Sequence, residues 1–236
     1  MASALFCVSV TGSPHSQPLM ADDPSPSLSQ PNSNHYPIVI LKDGSRAELR
    51  PLTPQDKPRV QEAFRRLSHE SRFRRFFTPL EVLDGALLER LTSGDGIDHV
   101  VWAAMNPDDR DDPGMGAASF WRSKSDPSEA EFSATVADEH QGRGIGTLLL
   151  ATLWTLARRV GIERFRLVAL SDNFPIIHWM ETIGASIDCD SGTVCDLIID
   201  LREESRGAIP MTPEGDELLD WLERLPAILD FSSPES

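Results

Sequence analysis

The segment Glu131-Phe-Ser-Ala-Thr-Val-Ala137, continued by Asp138-Glu-His140 and Gln141-Gly-Arg-Gly144-Ile-Gly146, decides the fold. It is typical of a strand, a short glycine-containing loop and the start of an amphipathic helix, Gly144–Val160. The first turn of a helix leaves four backbone N–H groups without partners and carries a positive partial charge. Glycines let such a backbone approach a phosphate closely. The segment therefore predicts a cradle for a diphosphate.

Two better-known phosphate loops do not match this segment. A Walker P-loop ends in Gly-Lys-Ser/Thr, and Gly146-Thr147-Leu148 lacks the lysine. A Rossmann fingerprint needs a further glycine that does not follow Gly146. A tight strand–helix turn with no ligand stays open as the alternative when the loop is taken alone.

Outward from the segment, the patterning predicts an α+β fold. Asp43-Gly44 lies between two short strands, Ile38–Lys42 and Arg46–Arg50, which is a hairpin signal. The other predicted strands are His99–Met105, Met115–Arg122, Glu129–Ala137, Phe165–Leu170 and Val194–Leu201. The other predicted helices are Pro54 to about Leu67, a short helix capped by Ser68 and ending at Phe76, roughly Glu81–Leu91, Pro175–Ile183 and Pro213–Leu225. The order of these elements favours α+β over a doubly wound sheet. A hairpin and helices come first, a meander follows, and strands then alternate with helices.

Composition divides the chain into three parts. Residues 1–36 are rich in Ser, Pro, Asn and Asp, which predicts a disordered tail. Residues 37–201 form the predicted folded domain. Residues 202–236 are a C-terminal extension with one apolar-striped helix, Pro213–Leu225. Core packing, a cover over the substrate channel and a homodimer contact are the open roles for that helix.

The overall charge limits the classes of partner that are expected. The formal net charge is −15 with 37 acidic and 22 basic residues, which argues against nucleic acid and anionic membranes. Such a charge would attract a basic protein or a cationic amine, but solubility is the favoured interpretation. No stretch reaches the roughly 18 apolar residues of a membrane helix. The cysteines Cys7, Cys189 and Cys195 are few and odd in number, which argues against a disulfide scaffold and suits a reducing cytosol, so a cytoplasmic protein is predicted. Cys189 and Cys195 are predicted to be inert, and no metal site is expected.

The loop resembles a known signature. Gln141-Gly-Arg-Gly144-Ile-Gly146 is similar to the Gln/Arg-x-x-Gly-x-Gly/Ala motif with which the GNAT superfamily of N-acetyltransferases binds coenzyme A. The strand RFRLVAL, then Asn173, a helix and Gly184-Ala185 resemble the next block of that family, and the resemblance runs from about Ile40 to Leu201. LKDGSRAELRPLTPQDK and AEFSATVADEHQGRGIG further resemble the acetyltransferase domain of bacterial Pat-type protein lysine acetyltransferases.

This resemblance implies a GNAT fold that binds acetyl-CoA and transfers its acetyl group directly to an amine, favouring a protein lysine. A small-molecule amine acetyltransferase and a non-catalytic acyl-CoA sensor stay open. The implied cofactor-binding residues are Val136, Ala137, Gln141, Gly142, Arg143, Gly144, Ile145, Gly146, Thr147 and Asn173. A backbone N–H near Val136 would stabilise the oxyanion. Asn173 would bond the pantetheine arm, cap the following helix, or do both.

Two residues are candidates for the base that deprotonates the amine. Strand alternation puts Glu131 on the face opposite to Phe132, and Pat-like members place a glutamate at a similar distance before the loop. His99 is the second candidate, although a lone histidine at a strand start is more often structural. The tyrosine that many GNAT enzymes use to protonate the thiolate is replaced by Met180.

A group of five arginines stands out in this acidic chain: Arg65, Arg66, Arg72, Arg74 and Arg75. Contact with the phosphates of coenzyme A or with an acidic partner is one interpretation. The favoured one is an exposed helical face that pairs with neighbouring glutamates, such as Glu62 and Glu70.

Overall fold

The computed structural model describes residues 36–190 and 192–229, so the predicted tail lies almost entirely outside the described residues. The strands are β1 Ile38–Ile40, β2 Arg46–Pro51, β3 His99–Met105, β4 Gly116–Arg122, β5 Glu129–Val136, β6 Arg164–Leu170, β7 Ser186–Asp188 and β8 Val194–Asp200. The α-helices are α1 Lys57–Arg66, α2 His69–Phe76, α3 Gly85–Thr92, α4 Ile145–Arg159, α5 Phe174–Thr182 and α6 Pro213–Ile228. Within the described ranges, no helix has the length and apolar character needed to cross a bilayer.

The strands form one mixed sheet in the order β1-β2-β3-β4-β5-β6-β8-β7. Every neighbouring pair is antiparallel except β5 and β6. That parallel pair covers only Glu129–Glu131 against Arg164–Arg166, after which the two strands separate. The predicted α+β fold is confirmed, and the separation leaves an opening in the middle of the sheet.

Helix α4 lies on one face of the sheet and is buried on nearly all sides. The apolar spacing predicted an amphipathic helix, but every residue from Thr147 to Ala157 is buried. The reason is the C-terminal helix α6, which covers the side that would face water and contributes Leu218 and Leu222 to the core. Of the roles left open for that helix, the structure shows core packing.

Helices α1 to α3 cover the opposite face, and local capping explains their bounds. Ser68 caps α2 as predicted, its hydroxyl accepting the Ser71 N–H at 3.1 Å. Helix α3 begins four residues later than predicted, because Asp84 is its N-cap and accepts the Leu87 N–H at 2.8 Å. Strand β7 was not predicted, because three residues are too few to show the alternation of apolar and polar side chains.

The two cysteines near β8 correct one expectation. Cys189 and Cys195 form a disulfide, so the prediction of unpaired, inert thiols is wrong for this pair. The turn between them brings their α-carbons to 4.1 Å, a proximity that cysteine counting along the chain does not reveal.

The contact between β4 and α4 is close enough to require a glycine. A Cβ at Gly116 would lie 2.8 Å from the Thr135 carbonyl oxygen and 3.2 Å from Leu149 Cδ1. We therefore expect Gly116→Ala to lower the free energy of unfolding by about 1–3 kcal/mol, measured by urea denaturation. Gly85→Ala is the control, because a Cβ there meets nothing within 4 Å. Equal stability of the two variants would contradict this packing.

Candidate active site

At the opening between β5 and β6, the backbone groups of β5 that face β6 are no longer paired in the sheet. The Ala137 N–H donates to the Met115 carbonyl at 3.0 Å, on the β4 side of the strand. Because N–H directions alternate along a strand, the Val136 amide points the other way, into the opening. The Val136 carbonyl accepts from Gln141 Nε2 at 3.4 Å, so the loop residue bonds to the strand end that precedes it.

The glycine loop begins helix α4 beside a cleft of about 970 Å³. Gly142 and Gly144 have φ values of +74° and +87°, which residues with a Cβ adopt only at a cost. Trp179 of α5 closes the cleft, and a Cβ at Gly146 would lie 3.8 Å from its ring. The predicted cofactor-binding residues that line the cleft are Val136, Gln141, Gly142, Gly144, Ile145, Gly146 and Thr147.

The other three predicted residues are not among those that line the cleft. Ala137 faces a separate cavity beneath α1 to α3. Arg143 Nε donates to Asp43 Oδ2 at 2.7 Å. Asn173 is buried at the N-cap position of α5, but its side chain makes no capping bond and instead accepts from Arg74 at 3.2 Å.

A buried polar chain fixes the glycine loop from outside the cleft. Arg143 can only donate, so His140 Nδ1 accepts from it at 2.8 Å, and His140 Nε2 therefore donates to Asp112 Oδ2 at 2.9 Å. Burial raises the pKa of Asp112, but hydrogen bonds from Gly114 and His140 outweigh it, and the net pKa is lowered. Sequence reasoning missed this role, since Asp112 lies 28 residues before His140.

Adjacent arginines of α2 reach both sides of the opening. Arg75 is buried and donates to Thr135 Oγ1 at 3.0 Å and to Ser133 Oγ at 3.1 Å, both on β5. Arg74 donates to Asn173, which follows β6. The prediction of an exposed arginine face is therefore wrong for Arg75, because strand hydroxyls solvate its guanidinium inside the protein.

Other arginines of the group form the expected ion pairs with neighbouring glutamates. Arg65 and Arg66 pair with Glu62, and Arg74 pairs with Glu70.

The two candidate bases occupy neighbouring positions of very different character. Cross-strand register places His99, Trp121 and Glu131 in one row across β3, β4 and β5. Glu131 is half-buried on the face that α1 to α3 cover. His99 is only 3% exposed, stacks on Trp121 at 3.6 Å and bonds the Ser93 carbonyl through Nδ1 at 2.9 Å.

The environment of His99 keeps its imidazole neutral. Burial lowers the pKa of His99 to about 4, helped by the charge of Arg90, while the Ser93 bond and Asp95 act in the opposite direction. Since its Nδ1 donates to a carbonyl, the free lone pair is on Nε2, which has no hydrogen-bond partner within residues 36–190 and 192–229. A pKa this low makes His99 a weak base at neutral pH.

Two further observations concern the implied proton donor and metal binding. Met180, at the position where the resemblance implies a proton donor, is fully buried in the core. Across the described part of the chain, no group of three His, Cys, Asp or Glu residues is arranged to hold a metal ion.

The chain is similar to known acetyltransferases. Residues 46–186 match the family model of the acetyltransferase (GNAT) domain. The chain is 35% identical to the acetyltransferase Pat of Mycolicibacterium smegmatis over 147 residues, which cover 62% of this chain and 43% of Pat. The crystal structure of the GNAT domain of S. lividans PAT matches with a TM-score of 0.64 at 30% identity, covering 69% of this chain and 95% of that one.

A more distant match supports the fold alone. The structure of yncA from Salmonella typhimurium, determined with its cofactor acetyl-CoA, has a TM-score of 0.54 at 20% identity and covers 66% of this chain and 95% of that one.

These findings establish the class of protein: the chain belongs to the acetyltransferase (GNAT) domain family. Within that family it is similar to the Pat-type acetyltransferases, as the sequence motifs predicted. The chain spans less than half of the length of Pat itself.

The low pKa of His99 predicts a pH dependence of stability. The folded-state pKa of about 4 lies below the ordinary value of 6.5, so the unfolded chain binds more protons between these pH values. His99 therefore destabilises the fold by about 2 kcal/mol as the pH falls from 7 to 5. In His99→Phe this part of the pH dependence should disappear in urea denaturation, whereas His178→Gln, at an exposed position, should retain it. The same slope in all three proteins would show that His99 is not held neutral.

Proposed function

We propose that this enzyme transfers the acetyl group of acetyl-CoA to the side-chain amine of a protein lysine. The observation that carries the proposal is the opening between β5 and β6, with the glycine cleft on one side and Glu131 on the other face of the sheet. The identity to Pat and the acetyl-CoA of a structure with the same fold support the donor. The lysine acceptor rests on the resemblance of the sequence motifs to Pat-type protein lysine acetyltransferases.

The cleft has the properties that a diphosphate requires. The N–H groups of the first turn of α4 converge beside Gly144, where the positive end of the helix dipole lies. Glycine at position 146 leaves room for close approach to the backbone, and Trp179 forms an apolar wall. We assign Gln141 to fixing the strand end and Arg143 to holding the loop, each through the bonds described above.

The remaining steps follow from the charges that the reaction creates. A lysine ammonium has a pKa of about 10.4, so Glu131 accepts its proton, directly or through water. The amine nitrogen then bonds to the acetyl carbon, and the Val136 N–H stabilises the oxyanion. The carbon–sulfur bond breaks, the thiolate leaves, and the nitrogen gives its second proton to water or to the departing thiolate. Because a thiol pKa is about 8.5, the thiolate is a weak base, and departure needs no strong acid in place of Met180.

A small-molecule amine is the second candidate acceptor. A cavity of about 810 Å³ lies between α1 to α3 and the sheet, and its lining is largely apolar. An apolar cavity of this size favours an amine with a compact apolar body over a protein surface.

Replacement of the proposed base tests the reaction. In Glu131→Gln we expect kcat/KM with acetyl-CoA and a panel of lysine-bearing proteins and small amines to fall about 10²- to 10⁴-fold. Acetyl-CoA affinity, measured by calorimetry, should stay within about twofold, because Glu131 does not line the cleft.

Glu129→Gln is the control, since it removes a carboxylate two residues earlier on the same strand face. Undiminished turnover by Glu131→Gln would refute the role of this base. Transfer to small amines but to no protein would favour the second candidate. No transfer to any amine would refute both acceptors.

One side chain competes with the diphosphate for the head of α4. Glu217, on α6, places Oε1 2.0 Å from where a Cβ of Gly144 would lie, and Lys42 pairs with its other oxygen at 3.0 Å. A carboxylate thus occupies the helix start that the diphosphate would use, and Glu214 adds a second negative charge to the lining.

We expect Glu217→Gln to bind acetyl-CoA about three- to tenfold more tightly in calorimetry, because the competing charge is removed. Glu223→Gln, on the exposed side of the same helix, should bind like the unmodified protein. Weaker binding by Glu217→Gln would mean that the carboxylate supports the cleft instead of competing for it.

Location and assembly remain predictions. We propose a cytoplasmic enzyme. A homodimer would need a surface other than the apolar stripe of α6, because that stripe is buried in this chain's own core.

A further inference from the structure

A second cavity on the Glu131 face is not used by the reaction as described so far. It has a volume of about 640 Å³ and lies between α2, α3 and strand β4. We call it the Trp121 pocket. The lining is largely apolar, formed by Phe76, the Trp121 ring and leucines of α3 and its preceding loop, and its polar residues are Arg75, Arg90, Thr78 and Ser119.

Arg90 gives the pocket its character. Its guanidinium carbon lies 5.2 Å from the centre of the Trp121 ring, so the side chain is held over an aromatic face. In the described part of the chain no carboxylate forms an ion pair with Arg90, although acidic residues outnumber basic ones 37 to 22. The neighbouring Glu89 is instead paired with Lys57.

The pocket is adjacent to the proposed base. Trp121 is the cross-strand partner of Glu131, so both side chains lie on the same face. Partners of this kind have α-carbons about 5.5 Å apart, which places Arg90 on the order of 10 Å from the Glu131 carboxylate. An extended chain advances about 3.3–3.6 Å per residue, so a lysine side chain together with the residue beside it spans a distance of this order.

A second guanidinium group, that of the buried Arg75, also lines the pocket. Ser119 Oγ lies 3.0 Å from Ser133 Oγ, and Ser133 accepts from the buried Arg75. His99, which is the neighbour of Trp121 on β3, stays neutral and adds no charge. Two guanidinium groups would repel an acceptor whose only charge is its ammonium. They would attract an acceptor that also carries an anion.

We infer that the Trp121 pocket binds a carboxylate that the acceptor carries beside its reactive amine. Arg90 supplies the planar pair of N–H donors that matches a carboxylate, and Trp121 holds the guanidinium in place. This inference rests on the proposed function, because it takes the Glu131 face as the acceptor side. An acidic residue next to the acceptor lysine in a protein and the α-carboxylate of a free amino acid are the two sources of this chemistry.

Paired peptides measure the preference. One peptide carries Lys-Glu and the other Lys-Gln, and each also exists with norleucine in place of lysine so that binding can be followed without transfer. With acetyl-CoA and the lysine peptides, kcat/KM should be about tenfold higher for Lys-Glu. In Arg90→Gln the ratio should fall to about one, with the Lys-Gln value unchanged within about twofold. Arg90→Lys should restore part of the ratio.

Calorimetry of the norleucine peptides with the protein saturated with coenzyme A gives a readout that does not need turnover. The Glu peptide should bind about tenfold more tightly than the Gln peptide, and Arg90→Gln should abolish the difference. Arg65→Gln is the matched control, because this arginine is exposed on α1 and pairs with Glu62. Free lysine and lysinamide form the second arm, which differs only in the α-carboxylate.

The outcomes separate the two claims. Dependence on Arg90 in the peptide arm alone identifies an acidic neighbour in a protein, and dependence in the amino-acid arm alone identifies a free amino acid. A binding preference that Arg90→Gln abolishes, without transfer to any amine, supports the pocket and refutes the proposed function. Equal binding and equal turnover of Glu and Gln peptides, and of lysine and lysinamide, would overturn the inference even if acetyl transfer occurs.

Discussion

The short parallel pairing between β5 and β6 is the constraint on which the rest of the structure depends. The strands share three residue pairs and then separate, so the backbone groups of β5 beyond Glu131 that face β6 have no partners in the sheet. Buried backbone groups need other partners, and the structure supplies them from the glycine loop, as Gln141 does for Val136. Helix α2 spans the gap, with Arg74 bonded to one side and Arg75 to the other. The opening is therefore held by specific bonds and is a fixed feature of the fold.

Charge is distributed differently on the two sides of this opening. On the cleft side, the head of α4 attracts anions, while Glu217 and Glu214 compete for it. On the acceptor side, arginines line a cavity in a protein whose net charge is −15. A carboxylate thus stands where the proposed donor brings phosphates, and guanidinium groups stand where the proposed acceptor brings an ammonium. The proposed donor must therefore displace a carboxylate from the cleft, and the proposed acceptor must carry a charge that matches the guanidinium groups.

The C-terminal helix belongs to this arrangement and is more than an appendage. Its apolar residues bury the outer side of α4, and Trp154 of α4 donates to the Leu201 carbonyl at 2.9 Å. The same helix brings Glu217 to the head of α4. Core packing and access to the cleft are therefore coupled through one element, because a shift of α6 would move a carboxylate and expose apolar surface together.

The sequence by itself determined the elements and the loop, because these depend on local spacing. Alternation in β5, the Ser68 cap and the glycines before α4 are each readable within a few residues, and the family motif follows from them. Long-range pairing was not readable in this way. The burial of Arg75, the Cys189–Cys195 disulfide and the Asp112–His140 bond each join residues whose proximity the local pattern does not encode. Only the tertiary structure decided that Glu217 meets Gly144 and that Arg90 covers Trp121, since these contacts form when separate elements pack together.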